Sequence, residues 1–130
     1  MSRANLAAVA AAALAVTAPL PTFAQERAQP AAVVNMTFGL KFEPAEVRIR
    51  VGDTVEWRNR AFLVHTVSFD PAQASDPSRV SLPEGVAPFD SGKIGGGKSW
   101  RHTFTTPGTY RYVCRPHEDE GMVGVVIVSP

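Results

Sequence analysis

Short runs in which apolar and polar side chains alternate, each closed by glycine, proline or aspartate, dominate this chain from residue 33 to its end. Alternation at period two is what a half-buried β-strand requires, and no stretch carries the 3.6-residue period of an amphipathic helix. Between Glu46 and Val51, the side chains of Val47, Ile49 and Val51 fall on one face and Arg48 and Arg50 on the other, before Gly52-Asp53 turns the chain. Val55 and Trp57 continue the inward face on a second strand. Val64 to Phe69 supplies a third, in which His65 shares its face with Val67 and Phe69. Trp100, His102 and Phe104 alternate along another, Thr106-Pro107-Gly108 turns, and Tyr110, Tyr112 and Cys114 alternate along the next. Val123 to Val128 is a continuous apolar run that reads as the last strand. Residues 70–98, rich in Pro, Ser, Asp and Gly, read as a long surface connection with a strand-like patch near Phe89 and room for a short helix. Seven or eight short strands separated by turn signals predict an all-β fold, a small antiparallel sandwich or barrel with Greek-key connections.

Residues 1–24 stand apart: one arginine near the start, an apolar alanine-rich run from Leu6 to Val16, then Pro19 and Pro21 ahead of Thr22-Phe23-Ala24. That is the layout of a secretory signal peptide, and the run is too short for a membrane span of about 20 residues. With cleavage after Ala24, residues 25–32 form a flexible leader and 33–130 the folded domain, and the expected compartment is a periplasm, ahead of a thylakoid lumen. Thirteen basic against 12 acidic residues leave a net charge of +1. A nucleic-acid partner, which asks for a clearly basic domain, is excluded. So is stable membrane insertion, and a chain of this size is expected to be a monomer. One cysteine allows no internal disulfide, zinc ribbon or iron-sulfur cluster. An unpaired thiol in an oxidising compartment needs protection, by burial or by a metal.

The chemistry concentrates in Cys114-Arg115-Pro116-His117-Glu118-Asp119-Glu120-Gly121-Met122, with His65 far upstream. A thiolate, two imidazoles and a thioether are the ligand set of a trigonal copper site with a weak axial methionine. Pro116 and Gly121 bend the loop after Cys114 so that His117 and Met122 return toward the cysteine, and His65 closes the site from the body of the sandwich. Taken singly, Cys114 reads as a small buried hydrophobe, Met122 as core filler and His65 as a strand-end histidine; it is their combination that points to metal. His102, inward-facing between Trp100 and Phe104, reads as structural. Glu118, Asp119 and Glu120 read as a solvated acidic rim, or as a charged patch steering a basic partner. Phe62, Leu63 and Val64 read as core or as an apolar docking patch.

The segment Gly108 to Val128, with Gly-Thr-Tyr before the cysteine, Cys-x-Pro-His, and Gly-Met-x-Gly leading into the last strand, resembles the C-terminal signature of the plastocyanin and pseudoazurin branch of the cupredoxins, the type 1 blue copper proteins. Asn59 to Asp70 is similar to the family segment holding the first histidine ligand, and Phe89-Asp90-Ser91-Gly92 followed by Ser99-Trp100 to a stretch of bacterial members. The resemblance implies a cupredoxin-like Greek-key β-sandwich of seven to eight strands. It implies one copper ion cycling between Cu(I) and Cu(II), held by His65, Cys114, His117 and Met122, with His117 nearest solvent. The function implied is that of a non-enzymatic carrier of single electrons between redox proteins that dock transiently near His117. A periplasmic copper chaperone or resistance protein is the alternative. Three histidines in total cannot build the trinuclear cluster of a multicopper oxidase. Where the family commonly places asparagine after the first histidine, this chain has Thr66, whose hydroxyl offers one donor instead of two.

Overall fold

The computed structural model describes residues 4, 5, 7–18 and 29–130. Cleavage after Ala24 and residues 25–28 of the expected leader lie outside the described residues, and Ala32, expected to be its last residue, opens β1. Seven strands build two sheets: β1 (Ala32–Met36), β2 (Phe42–Glu43), β3 (Glu46–Arg50), β4 (Thr54–Asn59), β5 (Ser99–Thr103), β6 (Gly108–Val113) and β7 (Val123–Ser129). One sheet runs β2-β1-β4-β5 and the other β3-β7-β6.

Alternation does the expected work. On β3, Val47 and Ile49 are buried while Arg48 and Arg50 are exposed, and on β6 Tyr110 and Tyr112 go inward. Val51, by contrast, is in the turn and 41% exposed. The core is aromatic: Trp57 on β4 meets Tyr112 at 5.6 Å, Phe69 at 6.0 Å and Phe104 at 6.3 Å between ring centroids, and its Nε1–H donates to the Tyr112 hydroxyl at 3.0 Å. That bond joins the two sheets across the interior while satisfying a buried indole N–H. Burial of each such aromatic or aliphatic side chain stabilises by about 1.5–3 kcal/mol, and this packing makes the sandwich rigid enough to hold a site at its end.

Two expectations need correction. The pairing is not purely antiparallel, because β1 runs parallel to β4 and β3 parallel to β7. The chain crosses between sheets after β2, after β3 and after β5, each time through a short turn, whereas the long connection joins β4 to β5, which pair within one sheet. The stretch 64–69 is no ladder strand either. His65 bridges Ile94, while Ser68 bridges Asp90 on one side and Val113 on the other, and every residue from His65 to Phe69 is buried. Wedged between β6 and the 89–94 segment, residues 65–69 have no solvent face and hence no alternation to keep.

The 70–98 connection does hide helical turns. Asp70-Pro71 and Asp76-Pro77 each open a single 3-10 turn, Pro71–Gln73 and Pro77–Arg79, in which the aspartate side chain accepts from the N–H of Ala72 or Ser78. Phe89, farther on, stacks between Phe69 at 4.5 Å and His102 at 4.1 Å.

Candidate metal centre

β6 delivers Cys114 at its end, and the following 3-10 segment Arg115–Glu120 folds the chain back at once. Pro116 suits the first turn of that segment, and Gly121 closes it in the left-handed region at φ 82°. Its N–H bonds to the carbonyl of Glu118, that of Met122 to His117 at 3.2 Å, and that of Cys114 to Met122 at 3.0 Å. The loop is therefore a closed hydrogen-bonded turn that sets the Met122 backbone beside that of the cysteine. Gly124, just beyond, is required by packing: a Cβ there would lie 2.3 Å from the Tyr112 ring.

His65 arrives from the opposite side, fixed by reciprocal backbone bonds with Ile94 at 3.1 and 2.8 Å. Asn59, at the end of β4, organises the loop before it. Its Nδ2 donates to the carbonyls of Leu63 and Ile94, both at 2.8 Å, and its Oδ1 accepts from the Ala61 N–H. Nothing in the local pattern flagged Asn59 beyond its place in the family-like segment.

Three donors converge. The two histidine Nδ1 atoms are 3.2 Å apart, and the Cys114 Sγ lies 3.6 Å from that of His65 and 3.5 Å from that of His117. His65, Cys114 and Met122 are fully buried, while His117 is part-exposed. His102 is not in this cluster. It is half-buried on β5, with a pKa pushed down by burial, and stacks on Phe89 and Trp100.

Burial favours the uncharged form of both buried donors, Cys114 and His65. Burial pushes the Cys114 thiol pKa up, against the opposing pull of hydrogen bonds from Thr66. Burial lowers that of His65, with the neighbouring His117 lowering it further, whereas the Thr37 backbone works the other way. A soft sulfur and two imidazole nitrogens aimed at one point, with Cys114 and His65 shielded from water, match the softness and geometry that suit copper. Thr66 spans the position usually held by asparagine. Its N–H donates to the Cys114 Sγ at 3.4 Å and its Oγ1 accepts from the Arg115 N–H at 2.8 Å, so one residue ties the His65 segment to the cysteine loop.

The acidic rim is only partly a rim. Asp119 and Glu120 are exposed, but Glu118 is buried at 2% exposure, because the 3-10 turns of residues 71–79 cover it.

A Greek-key-type sandwich with a cysteine and two histidines gathered at one end defines the class of copper-binding cupredoxins. The chain belongs to the plastocyanin/azurin family of copper-binding proteins, which it matches over residues 30–129, and its resident metal is copper in a type 1 site. Chloroplastic plastocyanin of Tetradesmus obliquus is 39% identical over 90 residues, 69% of this chain and 59% of that protein, so the chain spans under two thirds of that relative. Plastocyanin of Scenedesmus fuscus is 38% identical over 90 residues and 88% of its length. Among solved structures, a methionine variant of amicyanin in its Cu(I) form superposes with a TM-score of 0.62 at 35% identity, covering 82% of this chain and 89% of that one.

Proposed function

We propose that this protein is an exported, monomeric electron carrier, not an enzyme, with His65, Cys114, His117 and Met122 as its copper ligands. The reading rests on one observation: a thiol and two imidazole nitrogens meet at a buried point from which only His117 reaches the surface. Bound copper supplies the chemistry, the gain and loss of one electron between Cu(I) and Cu(II). The chain keeps the donors fixed, excludes water with its aromatic core, and leaves the edge of His117 as the short way out. Buried donors also argue against a chaperone, which must hand its metal over.

The segment leading into His65 is an apolar surface, and its Val64 shares a hollow with Arg115 and Pro116 of the ligand loop. Phe62 is 89% exposed, Phe38 60%, Leu63 50% and Val64 43%, with Phe38 and Phe62 edge to face at 5.3 Å. Such a patch suits the small, transient interfaces of redox encounters, below about 1,200 Å² in total. Its flanks are cationic. Arg60 precedes the patch in sequence, Lys93 lines a hollow with Val64, Arg115 and Pro116, and Lys41 reaches over the ligand loop toward the Glu120 carbonyl. Glu118 is buried and Asp119 is bonded to Arg79 at 3.1 Å, so of the acidic run Glu120 alone is left against the three cations, as an exposed acid with no ion pair among the described residues. The fitting partner is therefore a redox protein with an acidic rim, the reverse sign of the steering that the Glu118–Glu120 run offered as an alternative to a solvated rim.

For export, the support is the leader itself: Val9, Leu14 and Val16 are each about nine-tenths exposed and lie outside the core. A periplasm is the compartment that a plain secretory leader serves. No helix among the described residues is long and apolar enough to cross a membrane.

The test is the visible spectrum after adding Cu(II), followed by ascorbate reduction and reoxidation. An intense thiolate-to-copper band that bleaches and returns is expected, and Cys114→Ser abolishes it. A colourless, weakly held copper would overturn the reading.

A further inference from the structure

We propose that Glu118 is a positioning residue for the copper ligands: its buried carboxylate clamps the turn carrying His117 and Met122 onto the 71–79 connection. Its side chain is 1% exposed, although it sits in a run of three acidic residues on a surface loop. Oε2 accepts from the Ser75 N–H at 2.7 Å, and Oε1 from the Asp76 N–H at 2.9 Å and the Arg79 guanidinium at 3.3 Å. Charge-assisted bonds of this kind are about twice as strong as neutral ones, and a buried carboxylate stripped of them is strongly penalised. The two Asp-Pro turns present these donors together. Asp76 is both a donor through its backbone and, through its side chain, the cap of the second turn, while Arg79 also reaches Asp119 at 3.1 Å.

Glu118 is well placed to act on the ligands because it is built into their turn. It follows His117 directly, its carbonyl accepts from Gly121, and His117 in turn accepts from Met122. His117 itself leaves helical geometry at φ −126° and ψ 18°, so local backbone preference does not hold it. Within the turn its N–H bonds to the Cys114 carbonyl at 3.1 Å, and the next residue adds an anchor to the connection, across more than 40 positions of sequence. A bound metal gains from ligands fixed in advance, since less is lost in ordering them.

This inference rests on the ligand assignment above but not on electron transfer, and amide exchange in the metal-free protein tests it separately. A glutamine side chain has a single acceptor oxygen, so Glu118→Gln leaves one of the two N–H groups facing an NH₂. Exchange at Ser75 and Asp76 is expected to quicken at least tenfold, and with it exchange at Cys114 and Met122, whose N–H groups close the ligand turn. In the loaded protein, copper loss to a chelator speeds up at least tenfold and the thiolate-to-copper band shifts. Faster exchange at Ser75 and Asp76 alone, with Cys114, Met122, copper loss and band unchanged, would make Glu118 a brace for the connection and overturn the proposal. Arg79→Gln, which keeps both backbone donors, guards against a Glu118 variant that fails to fold. It is expected to quicken the same four amides about threefold, and unchanged Cys114 and Met122 amides in a folded Arg79→Gln protein overturn the proposal equally.

Discussion

Thr66 shows how one hydroxyl can stand in for an amide. Its Oγ1 accepts the Arg115 N–H at 2.8 Å while its own N–H serves the thiolate side of the site, so hydroxyl and backbone divide two tasks. Thr66→Val keeps the shape and the backbone donor but leaves the Arg115 N–H without its acceptor. The expected cost is about 1 kcal/mol in chemical denaturation, with the blue band retained and the reduction potential shifted, read by voltammetry. An unchanged potential would show that Arg115 finds another acceptor without disturbing the copper. His102→Ala is expected to leave the visible spectrum intact while lowering stability, because His102 contributes stacking on Phe89 and Trp100 and nothing to the donor cluster. At this scale the proposed ligand set was readable from the spacing of Cys114, His117 and Met122 together with a lone upstream His65, and the donor atoms of His65, Cys114 and His117 do come together. Glu118 was not, since a residue in a Glu-Asp-Glu run looks solvated until the Ser75 and Asp76 N–H groups are seen above it.

Strands were legible to the extent that one face met water. β3 and β6 kept their parity, whereas 64–69, buried from His65 onward, looked like a strand in sequence and forms only isolated bridges. Alternation tells which way a side chain points and is silent on which strand lies alongside; hence the parallel β1-β4 and β3-β7 pairs went unseen. The Asp-Pro pairs at 70–71 and 76–77 were a readable turn signal in a connection otherwise judged by composition. Packing between elements carries its own predictions. Gly124→Ala drives a methyl into the Tyr112 ring and is expected to cost about 1–3 kcal/mol, lowering the melting temperature by roughly 4–8 °C per kcal/mol. Glu56 couples β4 to β5: it is bonded by Arg58 on its own strand and at 2.6 Å by Arg101 on the neighbour. The Arg58 hydrogen bond chiefly holds its carboxyl below the ordinary 4.5; burial works the other way, and Arg101 adds to the lowering. Because the folded-state value is depressed, the stabilisation is complete above 4.5 and fades as the pH drops through the folded-state value. Glu56→Gln is therefore expected to cost about 1 kcal/mol at pH 7, the gap to wild type closing in acid denaturation series below pH 4.5.

Charge at the level of the whole molecule is close to balanced, at +1, and so says little about partners; its distribution says more. The acids that the sequence gathers beside His117 are largely engaged within the protein, Glu118 on the connection and Asp119 on Arg79. Asp90 is likewise held against Arg115 at 3.0 Å. Arg60, Lys93 and Lys41 stay exposed at the end of the sandwich where Phe62, Leu63 and Val64 offer an apolar landing. Attraction between a cationic rim and an acidic partner is screened over about 10 Å at 0.1 M salt, so it raises encounter rates and leaves the tight contact to the apolar patch. The second-order rate of electron transfer with an acidic redox protein is accordingly expected to fall as ionic strength rises, and Lys93→Glu to slow it further at low salt with the copper spectrum unchanged. Phe62→Ala, which removes apolar area and no charge, is expected to lower the rate by a similar factor at every salt concentration. A rate that rises with salt, or a Lys93→Glu protein that reacts faster, would reverse the sign assigned to the partner and return the steering role to Asp119 and Glu120.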